Sequence, residues 1–450
     1  MIKRLIVAGI GELGRSIVHT LQVHYEIIAI DVRNEIILDL SGKYDIQGIT
    51  GNILDTAILS DLKLDQKCAL ISVTGEDSIN LTVCRYVRDH FSLGFIALRL
   101  KDLSIYQIIQ SDHLKEGIHL VLNPEFNTIN NAIYRLYYPN IMRHMSFFEK
   151  KLHGIILRIN EQHHLCGMKI EEIERYQLQD VKVVQIFRNN KLEEIHKNTV
   201  IKKNDRVCII YTPVSVLKKF LEITVSEPKF VVSFGINSFS YALTQTIQEH
   251  YPFLNIFFVD IDPFKYHELA TRYPKFSFYS SNFLDESLWT DLNIRPKEAG
   301  ILALGLNDAD NLLSGLVHQS AHQVITVLQD ASYIPVGLKI GARSIIHPNA
   351  LILEQLMTHL SPSYIQRIHI LMDSHSDSTE PILFVTALIV EESDLLKISY
   401  DTLKALNIKV LAILRKNKIF STSEFFLKND QVLFLCLQSN YAQILNLLKK

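Results

Sequence analysis

Short runs of apolar, mostly β-branched residues alternate with amphipathic segments along the first part of the chain. Residues 3–7 and 27–31 are two such runs, and a helical pattern begins between them at about Glu12. Short strands that alternate with helical segments are typical of a doubly wound parallel sheet. The pattern therefore predicts a Rossmann-like domain over residues 1–125.

A different pattern occupies residues 140–224. Residues 152–159, 181–187 and 206–211 are strand-like, and residues 171–178 have the apolar spacing of a helix. Fewer helices per strand, in a segment this short, predict a small α+β domain rather than a second parallel sheet.

Both patterns then occur a second time, at an offset that stays near 224–231 residues. Polar stretches at residues 224–228 and 373–380 are expected to be linkers. We therefore predict an α/β fold of two tandem Rossmann-like domains, each followed by a small α+β domain, with the second pair at residues 228–350 and 365–450. The landmarks that recur are Asp31 with Asp260, Asn52 with Asn282, Asp77 with Asp308, Asn80 with Asn311, Asn123 with His347, and Lys203 with Lys428.

The composition excludes several classes of protein. Of 450 residues, 48% are hydrophobic and 21% are charged, and the net charge of −2 gives no field that would attract nucleic acid or anionic lipid. No window has about 18 consecutive apolar residues, and the first apolar run is too short for a signal peptide. Five scattered cysteines without CxxC spacing argue against disulfides and zinc, and Cys84, Cys208 and Cys436 are expected in the core. These features favour a reducing, cytoplasmic setting.

A glycine motif follows the first strand. Gly9, Gly11 and Gly14 have G-x-G-x-x-G spacing between a strand and a helix, and Asp31 ends the next strand 17 residues later. In this context the motif predicts a dinucleotide site. Gly9 permits a tight turn, Gly11 lets phosphate oxygens approach the backbone, and Gly14 lets helix and strand pack closely.

Asp31 can accept hydrogen bonds from ribose hydroxyls and would repel a 2′-phosphate, which favours NAD(H) over NADP(H). Arg33 lies near enough to weaken that exclusion, and a turn residue at the strand end is the alternative interpretation. Asn52 and Thr74 are candidates for adenine and ribose, and Arg99 for a phosphate, against surface or turn roles. The predicted cofactor-binding residues are Gly9, Ile10, Gly11, Glu12, Leu13, Gly14, Asp31, Asn52, Ile53, Thr74 and Arg99.

The second half departs from this motif. Aligning Gly9 with Ser233 and Gly14 with Ser238 leaves Gly235 as the remaining glycine. The position of Arg99 then falls near Leu328 or Gln329, without a cation, while Asp260 is retained as part of a weak second site. The pattern predicts a second domain with a weakened or altered ligand site, in which Ser238→Gly alone would restore little.

These residues resemble the TrkA family, regulatory subunits of Trk-type potassium uptake systems built from regulator of K⁺ conductance (RCK) domains. The resemblance covers essentially the whole chain and includes the glycine motif, Asp31, and residues 73–80, 123–125, 131–139 and 203–205. It implies binding of NAD⁺ or NADH, with ATP or ADP possible at the same site. It further implies a homotetramer that docks on a potassium-translocating Trk membrane subunit, peripheral to the inner face of the cell membrane.

The function predicted is a nucleotide-sensing regulatory subunit that gates a Trk-type potassium transporter, and not an enzyme. An NAD-dependent oxidoreductase and a structural scaffold with a vestigial site are the alternatives. The adjacent pair His163 and His164 would point to opposite faces of a strand, so we expect a surface loop and no metal site.

Ile129, Ile133, Leu136 and Tyr137 form an apolar stripe at helical spacing just after the first domain. The stripe is expected to cross over and pack on a neighbouring domain, with packing on its own domain as the alternative. If the stripe joins two chains, Ile133→Asp should split the tetramer, and if the stripe is internal, the change should unfold the first lobe and leave no soluble smaller species.

Overall fold

The structure is a computed structural model. It describes residues 2–112, 117–138, 141–161, 163–175, 181–189, 191–212, 228–250, 254–305, 307–342, 344–371, 381–420 and 425–449. The two predicted linkers at residues 224–228 and 373–380 lie outside the described residues, apart from Pro228.

The first lobe is a parallel sheet with strand order β3-β2-β1-β4-β5-β6, the order of a Rossmann fold. Its central strands are buried on both faces, which explains their unbroken apolar sequence. The strands are β1 (Arg4–Ala8), β2 (Glu26–Asp31), β3 (Gln47–Thr50), β4 (Cys68–Ser72), β5 (Phe95–Arg99) and β6 (Leu120–Leu122). The helices are α1 (Glu12–Leu21), α2 (Asn34–Lys43), α3 (Thr56–Asp61), α4 (Asp77–His90) and α5 (Leu103–Asp112), and α6 (Pro124–Tyr137) follows the lobe.

An antiparallel sheet of order β10-β9-β11-β8-β7 comes next. Its strands are β7 (Ile141–Phe147), β8 (Leu152–Arg158), β9 (Val181–Arg188), β10 (Lys191–Glu193) and β11 (Arg206–Tyr211). The predicted helix at residues 171–178 is α7 (Ile170–Arg175), and residues 176–178 lie outside the described part.

The second lobe has the same strand order as the first, β14-β13-β12-β15-β16-β17. Its strands are β12 (Phe230–Phe234), β13 (Asn255–Asp260), β14 (Ser277–Ser280), β15 (Ala299–Ala303), β16 (Gln323–Val327) and β17 (Ser344–Ile346). Its helices are α8 (Ser238–His250), α9 (Pro263–Arg272), α10 (Leu288–Asp291), α11 (Asp308–Val317) and α12 (Tyr333–Ile340), with a 3-10 turn at Pro296–Glu298.

The last sheet repeats the small antiparallel sheet in the order β18-β19-β22-β20-β21. The fold class predicted from the sequence is confirmed. The elements are α13 (Pro348–Leu360), β18 (Ile365–Leu371), β19 (Ile382–Leu388), α14 (Tyr400–Ala405), β20 (Lys409–Arg415), β21 (Lys418–Phe420), β22 (Gln431–Leu437) and α15 (Tyr441–Leu448), with 3-10 turns at Asp394–Lys397 and Gln438–Asn440.

Helices α6 and α13 connect the two halves of the chain, because each of them packs on the lobe of the other half. The apolar stripe on α6 is buried in the core of the second lobe, with Val231 and Leu243 in the same cluster, while α13 packs against α1 of the first lobe. The stripe therefore packs on a neighbouring lobe, as predicted, but that lobe belongs to the same chain. The suggestion that this stripe could hold two chains together is wrong, because its residues are already covered.

Two expectations about individual side chains have opposite outcomes. Cys84, Cys208 and Cys436 are buried as expected, and burial raises the pKa of Cys84 and Cys208. His163 and His164 lie in a loop, as expected, but the pair is not exposed, because His163 is buried and the two rings stack 5.0 Å apart. A bend places them there, so strand alternation does not apply to this pair.

Within the described ranges, no helix combines the length and apolar character needed to cross a lipid bilayer. The same residues contain no group of histidine, cysteine and acidic side chains placed to hold a metal ion.

Candidate functional site

The glycine loop between β1 and α1 has a distinct requirement at each glycine. Gly9 has φ +91°, and a Cβ there would lie 2.6 Å from the Cα of Thr74. A Cβ on Gly14 would lie 2.1 Å from the carbonyl oxygen of Gly9, whereas one on Gly11 would meet nothing within 4 Å. The first and third glycines thus serve the fold, and the second leaves open space above the loop.

Helix α1 begins at this open space. Its N-cap is Gly11, which has no side chain to accept from the first N–H groups of the helix. Such N–H groups, together with the positive end of the helix dipole, suit a phosphate oxygen.

Asp31 closes the loop from the end of β2. Its buried carboxylate accepts from the backbone N–H of Ile10 at 2.7 Å and from the backbone and guanidinium of Arg33 at 3.0–3.1 Å. Burial acts to raise the pKa of Asp31, but the hydrogen bonds from Arg33 and Ile10 hold that pKa below its usual value. Asp31 is therefore an ionised tether of the loop, and it also holds Arg33 beside the site.

Asn80 ties together the ends of β4 and β5. Its Oδ1 accepts from the hydroxyl and the N–H of Thr74, at 2.8 and 3.0 Å, and its Nδ2 donates to the carbonyl of Arg99 at 3.0 Å. The sequence identified Asn80 only as a landmark of the repeat. Its role is to position Thr74 and Arg99.

Arg99 lies opposite the loop and forms an ion pair with Glu125 at 2.8 Å. Glu125 is 2% exposed, and the hydroxyl of Ser238 in the second lobe donates to the same carboxylate oxygen at 3.3 Å. Among the described residues, neither the Nε of Arg99 nor the other oxygen of Glu125 has a hydrogen-bond partner. Sequence reasoning missed Glu125, although its helix-starting Asn-Pro-Glu segment was noted.

These groups line a cleft of about 620 Å³ between the two lobes, which we call the nucleotide cleft. Of the predicted site residues, Ile10 and Gly14 are buried beneath it, and Asp260 of the second lobe is buried and does not line it. The first lobe brings together Gly9, Gly11, Glu12, Leu13, Asp31, Asn52, Ile53, Thr74 and Arg99. The second half of the chain adds a wall that the sequence did not predict, formed by Asn237, Ser238, Phe239 and Gln329 of the second lobe and by Pro348 and Asn349 at the start of α13.

The second lobe keeps its glycine turn, so the predicted alignment of this loop is wrong. Gly235 has φ +80°, and its N–H donates to the carbonyl of Val259 at 2.8 Å, as Gly9 does to Ile30 at 2.9 Å. The N–H of Ile236 donates to Asp260 as that of Ile10 does to Asp31. Gly9 thus corresponds to Gly235 and not to Ser233.

Counting from that turn, the second and third glycines are the ones replaced. Gly11 corresponds to Asn237, and Gly14 corresponds to Ser240, not to Ser238. The hydroxyl of Ser240 donates to the carbonyl of Gly235 at 2.7 Å, so a hydrogen bond replaces the tight glycine packing. The loop of the second lobe is formed, but the position that corresponds to Gly11 carries a side chain.

The position of Arg99 is also one residue earlier than predicted. Val327 pairs with Ile346 as Arg99 pairs with Leu122, and its carbonyl accepts from Asn311 at 3.0 Å as that of Arg99 does from Asn80. The equivalent residue is therefore Val327 rather than Leu328 or Gln329. Val327 carries no positive charge, as predicted for the residue at this position.

Comparison with known proteins agrees with this geometry. Residues 5–124 match the TrkA-N domain family. These residues are similar to TrkA-N domains. It is 22% identical over 361 residues to the Trk system potassium uptake protein TrkA homolog 2 of Methanosarcina mazei, covering 77% of this chain and 78% of that protein. The predicted resemblance to TrkA-type proteins is confirmed.

Solved structures support the same fold. The GsuK RCK domain superposes with a TM-score of 0.62 at 13% identity, covering 99% of this chain and 95% of that one. The GsuK channel bound to NAD gives the same TM-score at 11% identity, covering 100% of this chain and 79% of that one. At these identities the likeness concerns the arrangement of tandem Rossmann-like and small α+β domains.

Proposed function

We propose that this chain is a non-enzymatic regulatory subunit that binds NAD(H) in the nucleotide cleft and thereby gates a Trk-type potassium transporter. The names of its relatives and the NAD-bound GsuK structure support the proposal. The observation that carries it is the composition of the cleft: an open glycine loop of the first lobe faces a wall supplied by the second.

A ligand in such a cleft contacts both lobes at once. It can shift the equilibrium between arrangements of the lobes only if it binds one arrangement more tightly than another. Contacts to Asn237 and Ser238, on the far wall, would provide that difference. The regulatory output would then be a change in the angle between lobes, passed to a membrane partner.

The charges around the cleft favour a dinucleotide over ATP. Acidic and basic side chains are nearly balanced, so there is no concentrated positive field for a triphosphate. ADP or ATP would compete at the same site with lower affinity. The acids are Glu12, Asp31, Glu76 and Glu125, and the bases are Arg33, Arg99 and Lys101.

The proposal is tested by the shift in melting temperature with NAD⁺, NADH, ATP and ADP, followed by potassium uptake with a reconstituted Trk membrane subunit. We expect stabilisation by NAD(H) and a nucleotide-dependent change in uptake. Turnover of NADH with an added carbonyl substrate would favour the oxidoreductase instead, and no response to any nucleotide would favour the scaffold.

We further propose the domain limits 1–125, 140–224, 228–350 and 365–450, and a homotetramer on the inner face of the cell membrane. Because the α6 stripe is used within the chain, contacts between chains must come from other surfaces. Light scattering tests the assembly, and a monomer at micromolar concentration with and without NADH would contradict it.

We expect one nucleotide per chain. The second loop has Asn237 where Gly11 stands in the first, and it has Val327 where the first lobe has Arg99, so neither phosphate approach nor charge is matched there. Calorimetry should give a stoichiometry near one. Two tight, equal sites per chain would contradict this, and Asn237→Gly, rather than Ser238→Gly, is the variant that should open the second loop.

Asp31→Ala is expected to narrow the preference for NADH over NADPH. The change removes the charge that repels a 2′-phosphate and frees Arg33, now held at 3.0 Å, to bind that phosphate. Competition binding would show a gain for NADPH relative to NADH of about tenfold or more, equivalent to roughly 1.4 kcal/mol. Asp31→Asn is the matched control for loss of the hydrogen bond that holds the loop, because its amide oxygen can still accept from the N–H of Ile10. Equal affinities of the parent protein for NADH and NADPH would show that Asp31 is only a turn residue.

A further inference from the structure

A second cavity of about 620 Å³ lies away from the nucleotide cleft, and we call it the polar cavity. Helices α6 and α13 form its floor, β6 closes it on the side of the first lobe, and β7 and β18 close it on the side of the small sheets. It therefore touches three of the units that a regulatory movement would displace.

A buried ion pair forms one wall of this cavity. Arg143 on β7 contacts the carboxylate of Glu354 on α13, and His369 on β18 lies 3.2 Å from the other oxygen of that carboxylate. Burial alone would raise the pKa of Glu354, but Arg143 and His369 hold that pKa below its usual value. The charge of Arg143 is thus neutralised within the protein.

The internal repeat supplies the counterpart of this pair. Arg143 follows a bulge in β7, and Arg367 follows the same bulge in β18. Glu354 is the seventh residue of α13, and the seventh residue of α6 is Asn130. The second arrangement therefore has the arginine without the carboxylate.

Both arginines line the polar cavity, and Arg367 is the more exposed of the two. Arg143 also borders a small, mostly apolar cavity of about 80 Å³. Arg367 and Asn130 both line the polar cavity of about 620 Å³. Arg367 is exposed, and within the described part of the chain its guanidinium makes no hydrogen bond or ion pair, although its backbone pairs with that of Thr386 in the sheet.

A buried nitrogen in the same wall also lacks a partner. His369 lines the polar cavity and is 7% exposed, and its Nε2 has no hydrogen-bond partner among the described residues. Because Nδ1 of His369 donates to the carboxylate of Glu354, its Nε2 is an acceptor. Leaving it unpaired costs about 1–3 kcal/mol, and a ligand group that donates a hydrogen bond, such as the hydroxyl of citrate, would remove that cost.

We propose that the polar cavity binds a small organic di- or tricarboxylate, with one carboxylate on Arg367 in the place that Glu354 occupies on Arg143. The planar guanidinium can donate two parallel hydrogen bonds to a carboxylate. The side chains of Asn127 and Gln355, which line the same cavity, provide neutral donors for the rest of the ligand. This site is independent of nucleotide binding in the other cleft.

Calorimetry with citrate and succinate, at ionic strength held constant with chloride, tests the proposal on the full chain. We expect saturable binding that Arg367→Gln weakens at least tenfold. Arg295→Gln, at an exposed arginine of the second lobe, is the matched control and should leave binding unchanged. Absence of saturable binding in the parent chain, or binding that survives Arg367→Gln, overturns the proposal. Inorganic phosphate that binds more tightly than citrate overturns the choice of carboxylate.

Asn130→Glu provides the decisive second variant. It installs on α6 the carboxylate that α13 has at Glu354, so the protein itself should neutralise Arg367 and exclude the ligand. Because Asn130 is exposed, the fold should tolerate the change. We expect at least tenfold weaker citrate binding in Asn130→Glu and parent-like binding in Asn130→Gln. Equal binding by both variants would overturn the proposed position of the anion.

Discussion

Gly11→Val is expected to abolish NADH binding while the chain stays folded. The space above Gly11 is open in the unliganded protein, and its φ of −78° suits any residue, so the new side chain meets no protein atom near its Cβ. It fills the position from which a pyrophosphate would approach the N-terminus of α1. The loss of a favourable N-cap residue should cost at most about 1 kcal/mol of stability.

Calorimetry with NADH and thermal unfolding without it separate the two effects. The parent should show a ligand-dependent rise in melting temperature, and the variant should show none at any accessible NADH concentration. Gly14→Ala is the control for loss of stability without a side chain in the open space above Gly11, because its Cβ would lie 2.1 Å from the backbone oxygen of Gly9. We expect that control to lose about 1–3 kcal/mol of stability by overpacking. NADH binding that persists in Gly11→Val would place the nucleotide elsewhere.

The sequence was sufficient where the structural requirement is local. A φ near +90° at Gly9, the close packing of Gly14 and the acid that ends β2 all fall within one strand-turn-helix-strand unit. Their spacing therefore predicted the loop and the placement of Asp31, while the alternation of strands and helices and its repetition predicted the fold class. The apolar stripe of α6 was also visible, because helical spacing is a local property.

The sequence was insufficient where two distant segments meet. The register of the second loop depends on where β12 ends, and only the turn at Gly235 and its bond to Val259 fix that point. Glu125 becomes a site residue because Arg99 and Ser238 come to it from elsewhere in the fold. The spacing of apolar residues does not indicate which distant segments come into contact.

The contrast between Arg143 and Arg367 has the same origin. Both follow the same strand pattern, and only the helix that each one faces decides whether a carboxylate is present. Once the repeat is aligned through the sheets, the sequence difference between Glu354 and Asn130 becomes interpretable. Alignment through the structure is what converts that difference into a chemical prediction.

Ile133→Asp is expected to unfold the second lobe at lower denaturant concentration, without first splitting an assembly of chains. Ile133 is 1% exposed in the middle of the α6 stripe, among residues of the second lobe. A carboxylate there must either stay charged without a partner or take up a proton, and it leaves part of the volume of isoleucine empty. We expect a loss of about 4 kcal/mol, a large share of the stability of one domain.

Trp289 provides the measurement, because it is the single tryptophan of the chain and is buried in the second lobe. Its fluorescence in urea should show a midpoint lowered by about 2 M, given a dependence of roughly 2 kcal/mol per M. Ile133→Val keeps the site apolar and should cost only about 1 kcal/mol, which isolates the contribution of the charge.

Light scattering below the transition should give the same mass for parent and variant. A smaller mass with an unchanged Trp289 midpoint would show instead that the stripe joins separate chains. The packing of α6 and α13 predicts instead that the second lobe unfolds before any chains separate, because each helix is a structural part of the lobe that it covers. The nucleotide cleft between the lobes exists only while both helices are in place.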